Sequence, residues 1–195
     1  MYCSSCGPNT CWCWNNNTFS LELRVTRRIE PDEELTLTYI DHRLPRAARQ
    51  QALQDYHFTC QCAWCSLPTE ESLHSDRNRH EILTWYDSHL PKHLWFATAS
   101  LDTNESYISE GERIIEVCKK EGLDMLMLSF TVDMVCAYLL MADIQNCRKY
   151  AQVALDLTKA TSPPGHPDIS TMEELLENPR KVAGKKWGSR LPKNI

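Results

Sequence analysis

No apolar run in this chain approaches the ~20 residues that span a bilayer; the best stretch, around Val135–Met141, is far too short. The opening residues lack the charged-then-apolar pattern of a secretory leader. Basic runs are absent beyond pairs such as Lys185–Lys186, and 26 acidic against 21 basic side chains give a net charge of −5. Nucleic-acid affinity draws on clustered cations that displace counterions. Neither a direct nucleic-acid partner nor a membrane partner is therefore expected. Convincing strand patterns are also missing from Glu70 onward. Cysteine, by contrast, is abundant: ten in 195 residues, seven of them in the first third. Clustering of this kind argues for a metal in a reducing, intracellular compartment rather than for a disulfide framework.

The densest cluster is Asp55–Cys65, where Cys60, Cys62 and Cys65 are spaced C-x-C-x-x-C. That spacing folds three sulfurs around one point on a tight turn. Zinc takes four ligands in a tetrahedron and suits thiolates. The fourth ligand must come from far away in the chain, so the site would act as a staple. The opening loop offers Cys3, Cys6, Cys11 and Cys13. Cys118, Cys136 and Cys147 sit in helical patterns and read as small core residues. His89 and His93 are four apart, a spacing that suits a metal on a helix, but Pro91 lies between them and spoils it. They read as surface residues.

The hydrophobic fraction of 42% supports a packed core. Cys11-Trp12-Cys13-Trp14 alternates as a short strand, with the tryptophans on one face. Asn15–Asn17 reads as a turn. From Phe19 to Thr26 the chain alternates again, Phe19, Leu21, Leu23 and Val25 against Ser20, Glu22, Arg24 and Thr26, which predicts a half-buried strand and a hairpin. Pro31 starts a turn, and Leu35–Ile40 is a second β run. Leu44–Tyr56 predicts a helix, with Pro45 in its first turn and Arg46 and Arg49 on its polar side. Helices follow at Ser72–His89, Ser106–Glu121 closed by Gly122, Leu126–Met141, Ile144–Ala160 and Ser170–Leu176. The basic stretch Asn178–Ile195 reads as mobile. The division is residues 1–66 against a helical region, residues 67–195. The helix pair either side of Asp143 resembles a tetratricopeptide-type hairpin, yet such repeats stack in threes or more. A helical bundle packed on the β unit accounts for the same pattern.

Taken together, Ser5-Cys6-Gly7-Pro8-Asn9, a strand, Glu33-Glu34-Leu35-Thr36-Leu37-Thr38-Tyr39 and then Tyr56-x-Phe58-x-Cys60-x-Cys62-x-x-Cys65 form a series. It resembles the C-terminal half of a SET domain with its post-SET zinc turn, of the type found in MYND-associated lysine methyltransferases and their fungal relatives. The resemblance covers residues 1–65 well and the rest loosely. It implies an α+β chain: a partial SET β-fold with a post-SET zinc turn, followed by an α-helical C-terminal region. The family motif Asn-His-Ser-Cys-x-Pro-Asn stands here as Cys3-Ser4-Ser5-Cys6-Gly7-Pro8-Asn9, so Cys3 and Ser4 replace the Asn and His that contact S-adenosylmethionine. By this resemblance Cys6 completes a zinc site with Cys60, Cys62 and Cys65.

The resemblance further implies a knot-like crossing of Ser5–Asn9 with Glu34–Tyr39. Tyr39 corresponds to the tyrosine beside the methyl-transfer path. Tyr56 and Phe58 correspond to aromatics of the lysine channel and the cofactor cover, and Ser4, Ser5, Tyr39 and Phe58 fall at cofactor-binding positions. The implied partner is a protein lysine, histone or otherwise, in the nucleus or cytoplasm, with Zn2+ and S-adenosylmethionine as cofactors. A Gly-x-Gly cofactor loop is not found in these residues. The expectation is thus a protein-lysine N-methyltransferase by family, truncated before its N-terminal cofactor-binding half and inactive as an isolated chain. The alternative is a non-catalytic zinc-stapled module whose helical part binds a protein partner.

Overall fold

The computed structural model describes residues 3–89 and 101–182. The expected stop at Pro91, His93 and residues 183–195 lie outside the described residues, as does the side chain of His89.

Four short strands open the chain: β1 (Cys3–Ser4), β2 (Thr10–Asn15), β3 (Ser20–Val25) and β4 (Thr36–Leu37). β2 and β3 form an antiparallel hairpin in register from Thr10↔Val25 to Asn15↔Ser20. Its turn runs over residues 16–19 and ends on Phe19 in a left-handed conformation (φ 51°). The expected β run over Leu35–Ile40 pairs only at Thr36 and Leu37, against β1 in parallel. Its partner is two residues long, and the Thr38 hydroxyl turns back to the Ile40 carbonyl at 2.8 Å.

The alternation in β3 is as expected, but its orientation is inverted: the apolar face is the solvent face. Phe19 is 81%, Leu21 63% and Val25 46% exposed, alongside Trp12 at 64% and Trp14 at 45%. The polar face meets the helices instead. Arg24 donates to the carbonyls of Ala160 and Lys159, both at 3.0 Å.

Helix α1 (Arg46–Leu53) continues as a 3-10 turn, Gln54–Tyr56, that delivers the chain to the cysteine turn. Pro45 sits at its N-cap rather than inside its first turn. Five longer helices follow: α2 (Thr69–His89), α3 (Leu101–Lys120), α4 (Asp124–Leu140), α5 (Ile144–Thr161) and α6 (Pro167–Glu177). Consecutive helices pack on one another from α2 to α6, and α5 also meets β2 and β3. Gly122 (φ 65°) closes α3: its N–H reaches the Lys119 carbonyl and that of Leu123 reaches Cys118, the paired bonds of a left-handed helix terminus. Asn178 to Val182, expected to be mobile, instead adds a short turn, with Val182 3% exposed in the helical core. No helix among the described residues is long and apolar enough to cross a membrane.

Two cores result. The larger lies among the helices and holds Cys118 and Cys147, both fully buried. There the Trp85 and Phe130 rings meet edge-on at 4.8 Å, and the stacked Tyr138 and Tyr150 both donate to Glu112. The smaller core is Cys6, Leu53, Cys60 and Cys65, with Tyr39, Ile40, Cys62 and Trp64 packed around it.

Candidate metal centre and adjoining cleft

Three elements converge on the smaller core. The loop after β1 carries Cys6, and α1 supports the turn that carries Cys60, Cys62 and Cys65. Gln50 fixes that turn by pairing with the Cys60 backbone, Nε2 to the carbonyl at 2.8 Å and the N–H to Oε1 at 3.1 Å. The N–H groups of Cys65 and Ser66 both return to the Cys62 carbonyl, at 3.0 and 2.9 Å. This curls the three cysteines around one point.

The opening loop is held to the second β segment by Asn9, which is 2% exposed. Its amide donates to Glu33 Oε1 at 2.8 Å and to the Glu34 carbonyl at 2.9 Å, and its Oδ1 accepts from the Thr36 N–H at 2.8 Å. The Ser5 N–H reaches the Leu37 carbonyl at 2.8 Å. The two segments expected to cross thus lie side by side. Arg27, Asn9 and the Glu30 N–H hold the Glu33 carboxyl down at about 2.

The four sulfurs of Cys6, Cys60, Cys62 and Cys65 lie within 4.8 Å of one another. A tetrahedron with zinc–sulfur bonds near 2.3 Å needs sulfurs about 3.8 Å apart. Cys6 and Cys65 are 3.5 Å apart, so the set fits a zinc ion with small adjustments. Three of the four are buried. Hydrogen bonding to Cys62 and Cys65, together with burial, pushes the Cys6 thiol up. Burial pushes Cys60 up to about 12. Cys62 moves the other way because it receives hydrogen bonds from Cys6 and Cys65, including the Cys6 N–H at 3.4 Å. A metal held here would displace the thiol protons as its bonds to sulfur form. Of the rival fourth ligands, Cys3 is exposed and hydrogen-bonded to Glu34, and Cys11 points to the Thr161 carbonyl at 3.9 Å. Cys13 lies on β2 with Cys11. None of the three belongs to the cluster.

A cleft of about 460 Å3 adjoins the cluster, lined in part by Ser4, Ser5, Phe58, Arg27, Glu33 and Glu34. It brings together three of the four expected cofactor positions. Tyr39 is not on its lining. Tyr39 instead meets Tyr56 at 5.2 Å and Phe58 at 6.5 Å between ring centroids, and the Tyr56 hydroxyl donates to the Tyr39 carbonyl at 3.3 Å. His57, in a left-handed conformation (φ 61°), turns the chain between the two aromatics. Tyr56 and Phe58 remain 52% and 37% exposed. Ser4 Oγ is buried without a hydrogen-bond partner, in a residue that lines this cleft of ligand-binding size.

The structure corrects a further sequence expectation beside the cluster. Arg49, assigned to the polar side of its helix, is completely buried. It donates to the Leu44 carbonyl and, at 4.0 Å, to Cys65 Sγ. Other residues around the cluster were not anticipated at all. Arg79 of α2 is equally buried and pairs with Glu121 at 3.1 Å; it also donates to the carbonyls of Cys6 (3.0 Å) and His42. The Trp64 ring lies against Gly7 and Gly122, so closely that a Cβ at either would sit 2.3 to 2.5 Å from it. Arg79 lies over the same ring at 5.9 Å. The only sequence signal was an arginine in mid-helix four residues after Ser75, which shares Glu121 with it. Spacing alone gives such a residue to solvent.

No protein-family model matches the chain. Individual proteins do. Histone-lysine N-methyltransferase ATXR2 of Arabidopsis thaliana is 39% identical over 69 residues, 31% of this chain and 14% of that protein. Histone-lysine N-methyltransferase set5 of Schizosaccharomyces pombe is 31% identical over 88 residues, 45% and 28% respectively. N-lysine methyltransferase SMYD2-A of Danio rerio is 20% identical over 182 residues, 86% of this chain and 41% of that protein. The matched segments thus cover less than half the length of each of these curated relatives. At modest identity and over part of each sequence, the matches support a relationship to SET/MYND-type proteins.

Proposed function

We propose that this chain is the C-terminal part of a SET-type protein-lysine methyltransferase, with Cys6, Cys60, Cys62 and Cys65 as ligands of a structural zinc ion. The observation that carries the reading is the convergence of Cys6, from the opening motif, with a cysteine turn more than fifty residues later. The metal would supply a cross-link between chain-distant segments, worth up to ~10 kcal/mol of folding free energy.

Ser4, Ser5 and Phe58 would hold S-adenosylmethionine along the cleft that they line. That cofactor supplies an electrophilic methyl group on a sulfonium. Tyr39, Tyr56 and Phe58 form an aromatic corner beside the cleft. Aromatic faces attract cationic groups such as sulfonium and methylated ammonium. They also keep water from a lysine side chain. The Tyr39 side chain would orient the uncharged amine, and such positioning accounts for much of the rate in two-reactant transfers. The substrate class is a protein lysine.

A second reading is favoured by one observation, the exposed apolar face of the hairpin: contiguous apolar patches on soluble proteins mark interaction sites. In that reading the chain is a zinc-stapled binding module without catalysis. Calorimetric titration of S-adenosylmethionine into zinc-loaded protein separates the two. Binding tighter than about 1 mM, ~4 kcal/mol, is expected for the methyltransferase reading; a flat trace leaves the module.

A further inference from the structure

Four thiolates around one divalent ion leave a net charge of −2. A buried charge of that size is costly unless a counter-charge accompanies it. Two buried guanidiniums flank the cluster, and they differ in how they are satisfied. Arg79 has its own carboxylate: Glu121, 5% exposed, accepts from its Nε at 3.1 Å. Its other nitrogens reach the carbonyls of Cys6, His42 and Glu121.

Arg49 has no such partner. Its side chain is fully buried, yet the nearest carboxylate oxygen, on Asp76, is 3.8 Å away, and that side chain is 24% exposed. The same oxygen already accepts from the Arg46 N–H at 2.7 Å. Arg49 Nε is buried with no hydrogen-bond partner. What remains is the Leu44 carbonyl and Cys65 Sγ at 4.0 Å. A fully buried cation with a free donor and a metal-site sulfur at its tip is short of negative charge. The cluster, once loaded, is short of positive charge.

We propose that Arg49 is the counter-ion of the metal–thiolate cluster and sets how tightly the four cysteines hold zinc. Helix α1 is then part of the site: Arg49 and Leu53 are its buried residues, and Gln50 fixes the Cys60 backbone. The inference rests on the zinc reading of the cluster. It makes Arg49 a positioning residue that acts through the thiolates.

The test uses the whole chain and its Arg49→Met and Arg49→Lys variants, with zinc affinity measured against a chromophoric chelator. Loss of an outer-shell partner typically weakens metal binding 10–100-fold, and that is the expected effect of Arg49→Met. Arg49→Lys, which keeps the charge, should restore most of the affinity. In cobalt-substituted protein, removing the cation should move the sulfur-to-metal charge-transfer band to lower energy, a signature that packing loss alone does not produce. A folded Arg49→Met protein with parental affinity and an unmoved band overturns the proposal, as does equal loss in both variants. Should Arg49→Met fail to fold, Asp76→Asn decides. It keeps an oxygen for the Arg46 N–H but removes the competing carboxylate, so zinc should bind no more weakly than in the parent; weaker binding overturns the proposal. A parent chain that takes up no zinc removes the metal reading itself, and this inference with it.

Discussion

At the scale of single residues, His42 sits where burial, first of all, resists its protonation. Its Nε2 is buried without a partner, and burial with nearby arginine charge lowers its affinity for a proton to about 4. The unfolded chain, with an ordinary imidazole near 6.5, binds that proton first. Stability from this group is therefore complete above pH 6.5 and is lost as pH falls from 6.5 towards 4. The loss should be on the order of 2 kcal/mol, read as a drop in urea midpoint between pH 7.5 and 5. His42→Gln should flatten that slope; an unchanged slope in the variant would assign the pH dependence elsewhere. The cysteines of this site were legible in the sequence because metal spacing is local and their identity is their chemistry. Arg49 was not. Helical periodicity assigns charged residues to water, and only the folded chain reveals that a sulfur cluster from the far end of a turn occupies the facing position.

At the scale of elements, the alternation of β2 and β3 was readable, and so was the hairpin. Which face turns inward was not, because alternation fixes a period and leaves the sign open. The decision is made by Arg24 and Cys11, whose partners are carbonyls at the end of α5, more than a hundred residues away. The joint between the cysteine turn and the helices depends on another pair of elements, the opening loop and the end of α3. Both present a glycine to the Trp64 ring. A Cβ on Gly7 would lie 2.3 Å from that ring, whereas one on Gly165 meets nothing within 4 Å and adds only the strain of φ 83°. Gly7→Ala should therefore destabilise by about 1–3 kcal/mol through overpacking, with the effect concentrated at the joint. Gly165→Ala should cost about 1 kcal/mol. Denaturant titration of both variants checks the order; equal losses would mean that Trp64 swings aside freely.

At the scale of the molecule, the two cores differ in what holds them. The helical core is apolar and continuous from Ile82 to Val182. The smaller core is four cysteines and Leu53 with a few flanking side chains, too little apolar surface to stand unaided. What joins the two is mostly polar: Arg79 with Glu121, Trp64 between two glycines, Arg24 on the end of α5, and Thr26 on Asp124 at 3.3 Å. Arg79 donates both to Glu121, just beyond α3, and to the Cys6 carbonyl, so the ends of this joint are tied to a ligand-bearing loop. Loss of metal should then spread in one direction. In zinc-stripped protein, or in Cys62→Ser, amide exchange should accelerate across residues 3–66 and at the part of α2 around Arg79. The interior amides of α4 and α5 should keep their protection, because their burial does not pass through the cluster. Exchange that accelerates equally in α5 would show one cooperative unit with the metal at its centre. Exchange unchanged at residues 60–66 would show that the turn holds its shape without a metal, and the stapling role assigned to those four cysteines would have no energetic basis.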